Sequence, residues 1–278
     1  MESHNRIAKI YSNTIQMIAV LSATENDFYA MPLPITVWSW HQIGVECIVF
    51  IPKGDNPKLE LAKKYCGTMA TFFEFNCEEK RIPTYSQVVR LFGAAIPILN
   101  LDEQLITGDS DLCVFDGILE LLNDMESIEV VGADLTPQDQ YPMCFIKMSV
   151  YKWREVLGIN KTYQEHVSEL IDPIEGLNIR GEQWNYDQWY IKKKVIESGL
   201  EFEVNFVNRS NGLNQFATRR ADRDGWHFDI GNLVDAHLLR PLTDETNFAK
   251  VYDLLKAKYP NESLQWLIDY NNEYKKLL

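Results

Sequence analysis

Met17-Ile18-Ala19-Val20-Leu21 is apolar without a break and gives way at once to the polar stretch Ser22 to Asp27. Five residues are too few for a stable lone helix, and a strand exposed on one face would alternate apolar with polar. An unbroken run belongs to a strand covered on both faces, the condition of a parallel sheet held between helical layers. The pattern then repeats. A helix around Pro34 to Ile43 stops at Gly44, where a glycine cap is expected. Glu46 to Pro52 reads as a second strand, Lys58 to Tyr65 as a helix and Thr71 to Phe75 as a third strand. A helix around Tyr85 precedes the strand that leads to Asp109. Strands separated by helices of about ten residues imply right-handed crossovers and a mostly parallel, Rossmann-like sheet.

That last strand runs into Asp109-Ser110-Asp111, two carboxylates separated by one serine. Side chains of a strand alternate, so residues i and i+2 are expected to point together into the crevice beyond its carboxyl end. Two like charges placed together call for a cation. Hard oxygen donors suit Mg²⁺ or Mn²⁺, ions that bind through one or two protein carboxylates plus substrate phosphates. In an acidic chain such a triplet also marks solvated turns, so the flanks decide. Upstream, Thr84 to Leu91 reads as a helix with Arg90 on its polar side and Ser86 one turn earlier, followed by Ile96 to Leu99. Downstream, Asp116 to Leu122 is a short amphipathic helix.

This arrangement resembles the GT-A glycosyltransferases, in particular the glycogenin-like and galactosyltransferase-like group, where a helix carrying an arginine precedes a strand ending in a metal-binding Asp-x-Asp. The resemblance implies a GT-A type α/β fold: a Rossmann-like mixed sheet flanked by helices, with a C-terminal helical segment. It also implies a nucleoside diphosphate sugar donor, a carbohydrate or glycan acceptor, and Mn²⁺ or Mg²⁺ on Asp109 and Asp111, with Ser110 beside the donor. With no internal repeat or hinge-like linker, residues 1–278 are expected to form one catalytic domain. Its nucleotide-binding half covers about 15–125, its acceptor-binding half about 126–242, and its C-terminal helices 243–278. Within the second half, strands are expected over Ser127 to Asp134, Met143 to Ser149 and Glu203 to Val207. Helices are expected around Tyr151 to Val156, His166 to Ile171 and Trp184 to Ser198, and a closing pair, Asn247 to Lys258 and Glu262 to Lys276, breaks at Pro260-Asn261.

Further candidates follow the same resemblance. The loop after the first strand is similar to the family's donor loop, so Ser22, Ala23 and Thr24 are expected at base or ribose and Tyr29 stacked on the base; the same residues also read as an ordinary loop in which Asn26 or Asp27 caps the next helix. The Arg90 guanidinium is suited to pair bidentately with phosphate or with one of the aspartates. Gly181 to Trp189 resembles the family's late helix opening on Asp-Gln. There Asp187 is a candidate to accept a hydroxyl proton or hold the donor sugar, and Gln188 to lie beside the anomeric carbon; an acidic residue also suits a helix N-terminus for its dipole alone. Asp134 is the other carboxylate to test near the anomeric carbon. His237-Leu238-Leu239-Arg240-Pro241 is similar to a family segment whose histidine completes the metal shell and whose basic residue reaches the diphosphate, so His237 is the expected third ligand, His227 its rival, and Arg240 a diphosphate contact. Arg219 to Asp224 reads as a charged loop, either a lid over the donor or a solvated turn.

Composition limits the other classes. A formal charge of −13, from 27 basic and 40 acidic side chains, disfavours nucleic acid and anionic membranes as partners. The five cysteines are scattered and odd in number, as expected of thiols in a reducing compartment. No signal peptide or integral membrane segment is visible, so a cytoplasmic enzyme is expected. Two alternatives stand beside the transferase. A haloacid-dehalogenase-like phosphatase also uses Asp-x-Asp, but its nucleophile opens the first strand and Thr or Val normally stands two residues past the second Asp; here about a hundred residues precede the motif and Cys113 holds that place. The other is a nucleotide-sugar binding protein without catalysis.

Overall fold

The computed structural model describes residues 16–132, 139–174, 185–208 and 219–278. Its strands are β1 (Met17–Ser22), β2 (Glu46–Pro52), β3 (Ala70–Phe75), β4 (Gln104–Thr107), β5 (Leu112–Val114), β6 (Ile128–Val131), β7 (Ile146–Ser149), β8 (Val204–Val207), β9 (Arg220–Ala221) and β10 (Asp235–His237). Seven of them form one sheet in the order β3-β2-β1-β4-β7-β6-β8. β3, β2, β1 and β4 run parallel, β7 runs antiparallel to both β4 and β6, and β8 runs parallel to β6. The sheet is therefore mixed, and the two halves drawn from the sequence share it. β5, β10 and β9 make a second, three-stranded sheet.

The helices are α1 (Asp27–Ala30), α2 (Leu33–Gln42), α3 (Pro57–Cys66), α4 (Ile82–Val89), α5 (Gly117–Leu121), α6 (Val150–Leu157), α7 (Tyr163–Ile171), α8 (Tyr186–Glu197), α9 (Glu245–Lys258) and α10 (Gln265–Tyr274). Strand alternation divides them into two layers. Ala19 and Leu21 of β1, with Val49 and Ile51 of β2, face a core shared with α2, α3, α9 and α10; Ile18 and Val20, with Ile48 and Phe50, face one shared with α4, α6, α7 and α8. Both faces of β1 are thus covered, which is why its sequence is uniformly apolar. Local chemistry sets the helix starts. Asn56 accepts from the amides of Lys58 and Leu59 ahead of α3, Ser149 from Lys152 ahead of α6, and Thr162 forms a reciprocal capping box with Glu165 at α7. α10 begins at Gln265, three residues later than expected at Glu262, because the break at Pro260 extends through a turn in which the Glu262 amide bonds to the Tyr259 carbonyl.

The register of β6 against β7 sets Glu129 opposite Lys147, and both side chains are fully buried with Nζ 2.6 Å from the carboxylate. Lys147 also donates to the carbonyls of Leu122 (3.2 Å) and Asp124 (2.5 Å), tying the segment after α5 to the sheet. No helix among the described residues is long and apolar enough to cross a membrane. None of the five cysteines is in a disulfide.

Candidate active site

β4 ends at Thr107, beside the centre of the large sheet. Gly108 continues the pairing with β1 through its amide on the Val20 carbonyl (3.0 Å), and a Cβ here would come within 2.6 Å of Leu21 Cδ2, so any other residue would have to displace that buried side chain. The chain then turns: the Leu112 amide donates to the Asp109 carbonyl at 3.2 Å. Asp109 and Asp111 are therefore gathered by a turn leading into β5, which corrects the expectation that strand alternation aligns them. Two buried hydroxyls of α2 brace this turn. Thr36 Oγ1 donates to the Ser110 carbonyl (2.9 Å), and Ser39 Oγ accepts from the Val114 amide (3.0 Å).

β10 delivers the histidine. It pairs antiparallel with β5 so that His237 stands opposite Leu112, and the Leu238 amide donates to the Asp111 carbonyl at 2.9 Å. Ligand atoms from Asp109, Asp111 and His237 consequently lie within 4.8 Å of one another. His227, the rival, is exposed and outside this cluster.

Arginines surround the cluster. Arg90 is 7% exposed, which corrects its expected place on a polar helix face: α4 ends at Val89, and Arg90 opens a 3-10 run that turns its side chain under β4. Its Nη1 donates to Asp109 Oδ1 (2.5 Å) and the Gly108 carbonyl (2.9 Å), Nη2 to Asp187 Oδ2 (2.9 Å), and Nε to the Gln87 carbonyl (3.2 Å). Of the partners expected for it, the structure gives it an aspartate. Burial pushes the Asp109 carboxyl up, but Arg90 and His237 outweigh it and hold it well below the usual carboxylate range. Asp187, 2% exposed, goes the other way: burial dominates, Arg90 only moderates it, and its pKa is raised to about 6.

Asp111 meets two guanidiniums, Arg240 Nη2 at 2.7 Å and Arg223 Nη2 at 3.3 Å. Neither is aligned for a hydrogen bond, and Asp111 Oδ2 has no hydrogen-bond partner among the described residues. Arg240 is held by aromatic rings, 4.8 Å from the Tyr29 centroid and 5.4 Å from that of Phe28. The Tyr29 ring thus faces an arginine in this structure, where base stacking was expected.

His237 Nε2 is 3.5 Å from Asp109 Oδ2, is buried, and has no hydrogen-bond partner among the described residues. Arg220 Nη1, a donor, lies 3.3 Å from Nδ1, and Asp222 Oδ1 lies 4.0 Å from it, beyond hydrogen-bond distance. An imidazole nitrogen beside two carboxylates is a donor set that fits Mn²⁺ or Mg²⁺, with Nε2 the ring nitrogen nearest Asp109. Arg220 is anchored by buried Asp235 through Nε (2.9 Å) and Nη2 (3.0 Å). The segment read as a charged loop therefore contains β9, too short for any periodicity to reveal, and supplies Arg220 and Arg223, neither of which was singled out from the sequence. Their only signal was clustered charge.

The other candidates separate by position. Ser22, Ala23 and Thr24 are buried at the end of β1: Ser22 Oγ donates to the Ser86 carbonyl, the Ala23 amide to the Phe50 carbonyl (3.0 Å), and Thr24 Oγ1 accepts from the Asn26 amide (3.4 Å). Asn26 caps α1 by accepting from the Phe28 amide (2.9 Å). Ser86 is buried and meets Ser22 through its backbone carbonyl. Gln188 donates its amide to Asp187 Oδ1 (3.0 Å) and its side chain to Asn185 Oδ1 (3.1 Å). Ser110 Oγ is buried with no hydrogen-bond partner among the described residues. Asp134 lies outside the described residues.

No protein-family model and no curated protein matches the chain. Among solved structures, it is similar to the galactosyltransferase LgtC in complex with donor and acceptor sugar analogues, at 12% identity and TM-score 0.47, over 90% of this chain and 99% of that one. An active-site mutant of LgtC aligns at 11% identity and TM-score 0.48, over 87% and 96%.

Proposed function

We propose that the chain is a metal-dependent glycosyltransferase of GT-A type, moving a sugar from a nucleoside diphosphate to a hydroxyl of a carbohydrate or glycan. The observation that carries this reading is the meeting of Asp109, Asp111 and His237 within 4.8 Å, beside a ring of arginines, past the carboxyl end of a central parallel strand. These three residues would hold Mn²⁺ or Mg²⁺, which when bound supplies Lewis-acid neutralisation of the diphosphate leaving group. The chain's own residues do the rest. Arg90 keeps Asp109 ionised and oriented, a positioning role. Arg240, fixed against Tyr29, is a cation available to the charge that develops on the departing diphosphate.

Ser22, Ala23 and Thr24 line the base and ribose side, while Asp187 and Gln188, joined to the metal cluster through Arg90, serve the sugar side; Asp134 belongs to the acceptor half. The phosphatase alternative is disfavoured by the sequence, in which about a hundred residues precede the motif and Cys113 holds the place normally taken by Thr or Val.

A thermal-shift panel of UDP, GDP, CDP and ADP, each with and without MnCl₂, tests the proposal, because a ligand stabilises the state it binds. At least one nucleotide should raise the melting temperature only with Mn²⁺, and the matching nucleotide-sugar should then be hydrolysed or transferred. Stabilisation without turnover would make the chain a binding protein, and no Mn²⁺-dependent shift would overturn the metal site.

A further inference from the structure

Asp111 is 2% exposed, and two guanidiniums crowd it without aligned hydrogen bonds, whereas the other two arginines of the site are locked. Arg90 donates to two carboxylates and two carbonyls, and Arg220 is held by two bonds to buried Asp235. Of the pair on Asp111, Arg240 lies over the Tyr29 and Phe28 rings. Arg223 sits on a tight hairpin closed by the Asp222 to Gly225 bridge, with its side chain a quarter exposed. It is the cation of this site with the least to hold it in place.

Charge balance gives Arg223 its role. Asp109, Asp111, Asp187, Asp222 and Asp235 face Arg90, Arg220, Arg223 and Arg240, so the site is nearly neutral. A divalent ion alone would turn it positive and set the metal against Arg223 over the same carboxylate. A diphosphate arriving with the ion restores the balance and offers the displaced guanidinium oxygens that suit its fork. Resting on the metal–diphosphate reading above, we propose that Arg223 is a diphosphate-binding residue. In this structure it rests on Asp111, and it leaves that carboxylate when metal and nucleotide enter as one charge-balanced unit. Arg223 thereby couples the two ligands, so that each tightens the other.

Calorimetric titrations of the full chain with MnCl₂ alone, and with UDP, GDP, CDP and ADP in the presence of MnCl₂, test this on the wild type, Arg223→Gln, Arg223→Lys and Arg219→Gln. The last removes an equal charge from the same segment, where the Arg219 side chain donates to the Asn232 carbonyl at 3.4 Å, away from Asp111. Removing the partly exposed pair in Arg223→Gln should tighten MnCl₂ alone a few-fold. The same variant should weaken the nucleotide with MnCl₂ by roughly 10-fold, the scale of one hydrogen bond to a charged group. Arg223→Lys should recover much of the nucleotide affinity, and Arg219→Gln should match the wild type. If Arg223→Gln matches Arg219→Gln in both titrations, or weakens MnCl₂ alone, the coupling role is wrong while the metal site stands. If the wild type binds none of UDP, GDP, CDP and ADP with MnCl₂, the glycosyltransferase reading falls and takes this proposal with it.

Discussion

Arg90→Ala is the substitution with the most determined consequence. The guanidinium bridges Asp109 and Asp187, the second of them almost fully buried, so its removal leaves two carboxylates facing each other in a desolvated site. Breaking a buried pair in this way costs about 3–5 kcal/mol, and because Asp109 is 29% exposed the lower end applies. For a chain of this size, about 3 kcal/mol corresponds to a fall in melting temperature of roughly 6–12 °C. The pH dependence has a definite sign. Asp187 is already raised from 3.8 to about 6, so the native state binds a proton more tightly than the unfolded chain, and acidification from pH 6 towards 4 favours folding through this group. Without Arg90 that pKa rises further. The deficit should therefore be largest above pH 7 and narrow towards pH 5. Scanning calorimetry at pH 7.5 and 5 on wild type, Arg90→Ala, Asp187→Asn and the double variant measures this, and Asp187→Asn should restore part of the stability lost in Arg90→Ala. A single variant melting within about 1 °C of wild type at pH 7.5, or a deficit that grows on acidification, would refute the reasoning.

Three further outcomes are expected. Lys147→Met strands a fully buried Glu129 and should cost about 3–5 kcal/mol by denaturant unfolding, with most of it recovered in the Glu129→Gln, Lys147→Met double variant; independent, additive losses would contradict the pairing. Asp111→Asn should abolish Mn²⁺-dependent nucleotide-sugar turnover while far-UV circular dichroism stays that of the wild type, and retained turnover would remove Asp111 from the metal site. Tyr29→Ala removes the ring beside Arg240 and should weaken Mn²⁺-dependent nucleotide binding by about 0.5–2 kcal/mol in calorimetry, the range of a cation–ring contact; unchanged affinity would leave Tyr29 as packing alone.

β1 and β2 were legible because burial is written into continuous apolar runs, whereas β3, a half-covered edge strand, was legible from its aromatic, β-favouring residues, and β4 from its place between the Tyr85 helix and the aspartates. β5, β9 and β10 were not, because two or three residues carry no period, and these are the strands that bring His237 to Asp109. The aspartates were visible as a pair, yet what draws them together is a turn braced by Thr36 and Ser39, hydroxyls with no local sequence signal. Arg90 was singled out as a partner for phosphate or an aspartate but placed on the polar side of a helix, because helical periodicity continues past Val89 whereas the backbone tightens there. Arg220 and Arg223 were hidden in a charge-rich stretch whose pairing partners, Asp235 and Asp111, lie 15 and 112 residues away in the chain, so only the folded arrangement joins them.

Mn²⁺ binding followed by electron paramagnetic resonance, in the presence of whichever nucleoside diphosphate stabilises the chain, is the most direct measurement of the central claim. His237→Ala and Asp109→Asn should each release Mn²⁺ that the wild type holds, while His227→Ala, altering an exposed ring outside the cluster, should bind it as the wild type does. Wild-type Mn²⁺ binding in both the His237 and Asp109 variants, or its loss only in the His227 variant, would contradict the site built from Asp109, Asp111 and His237.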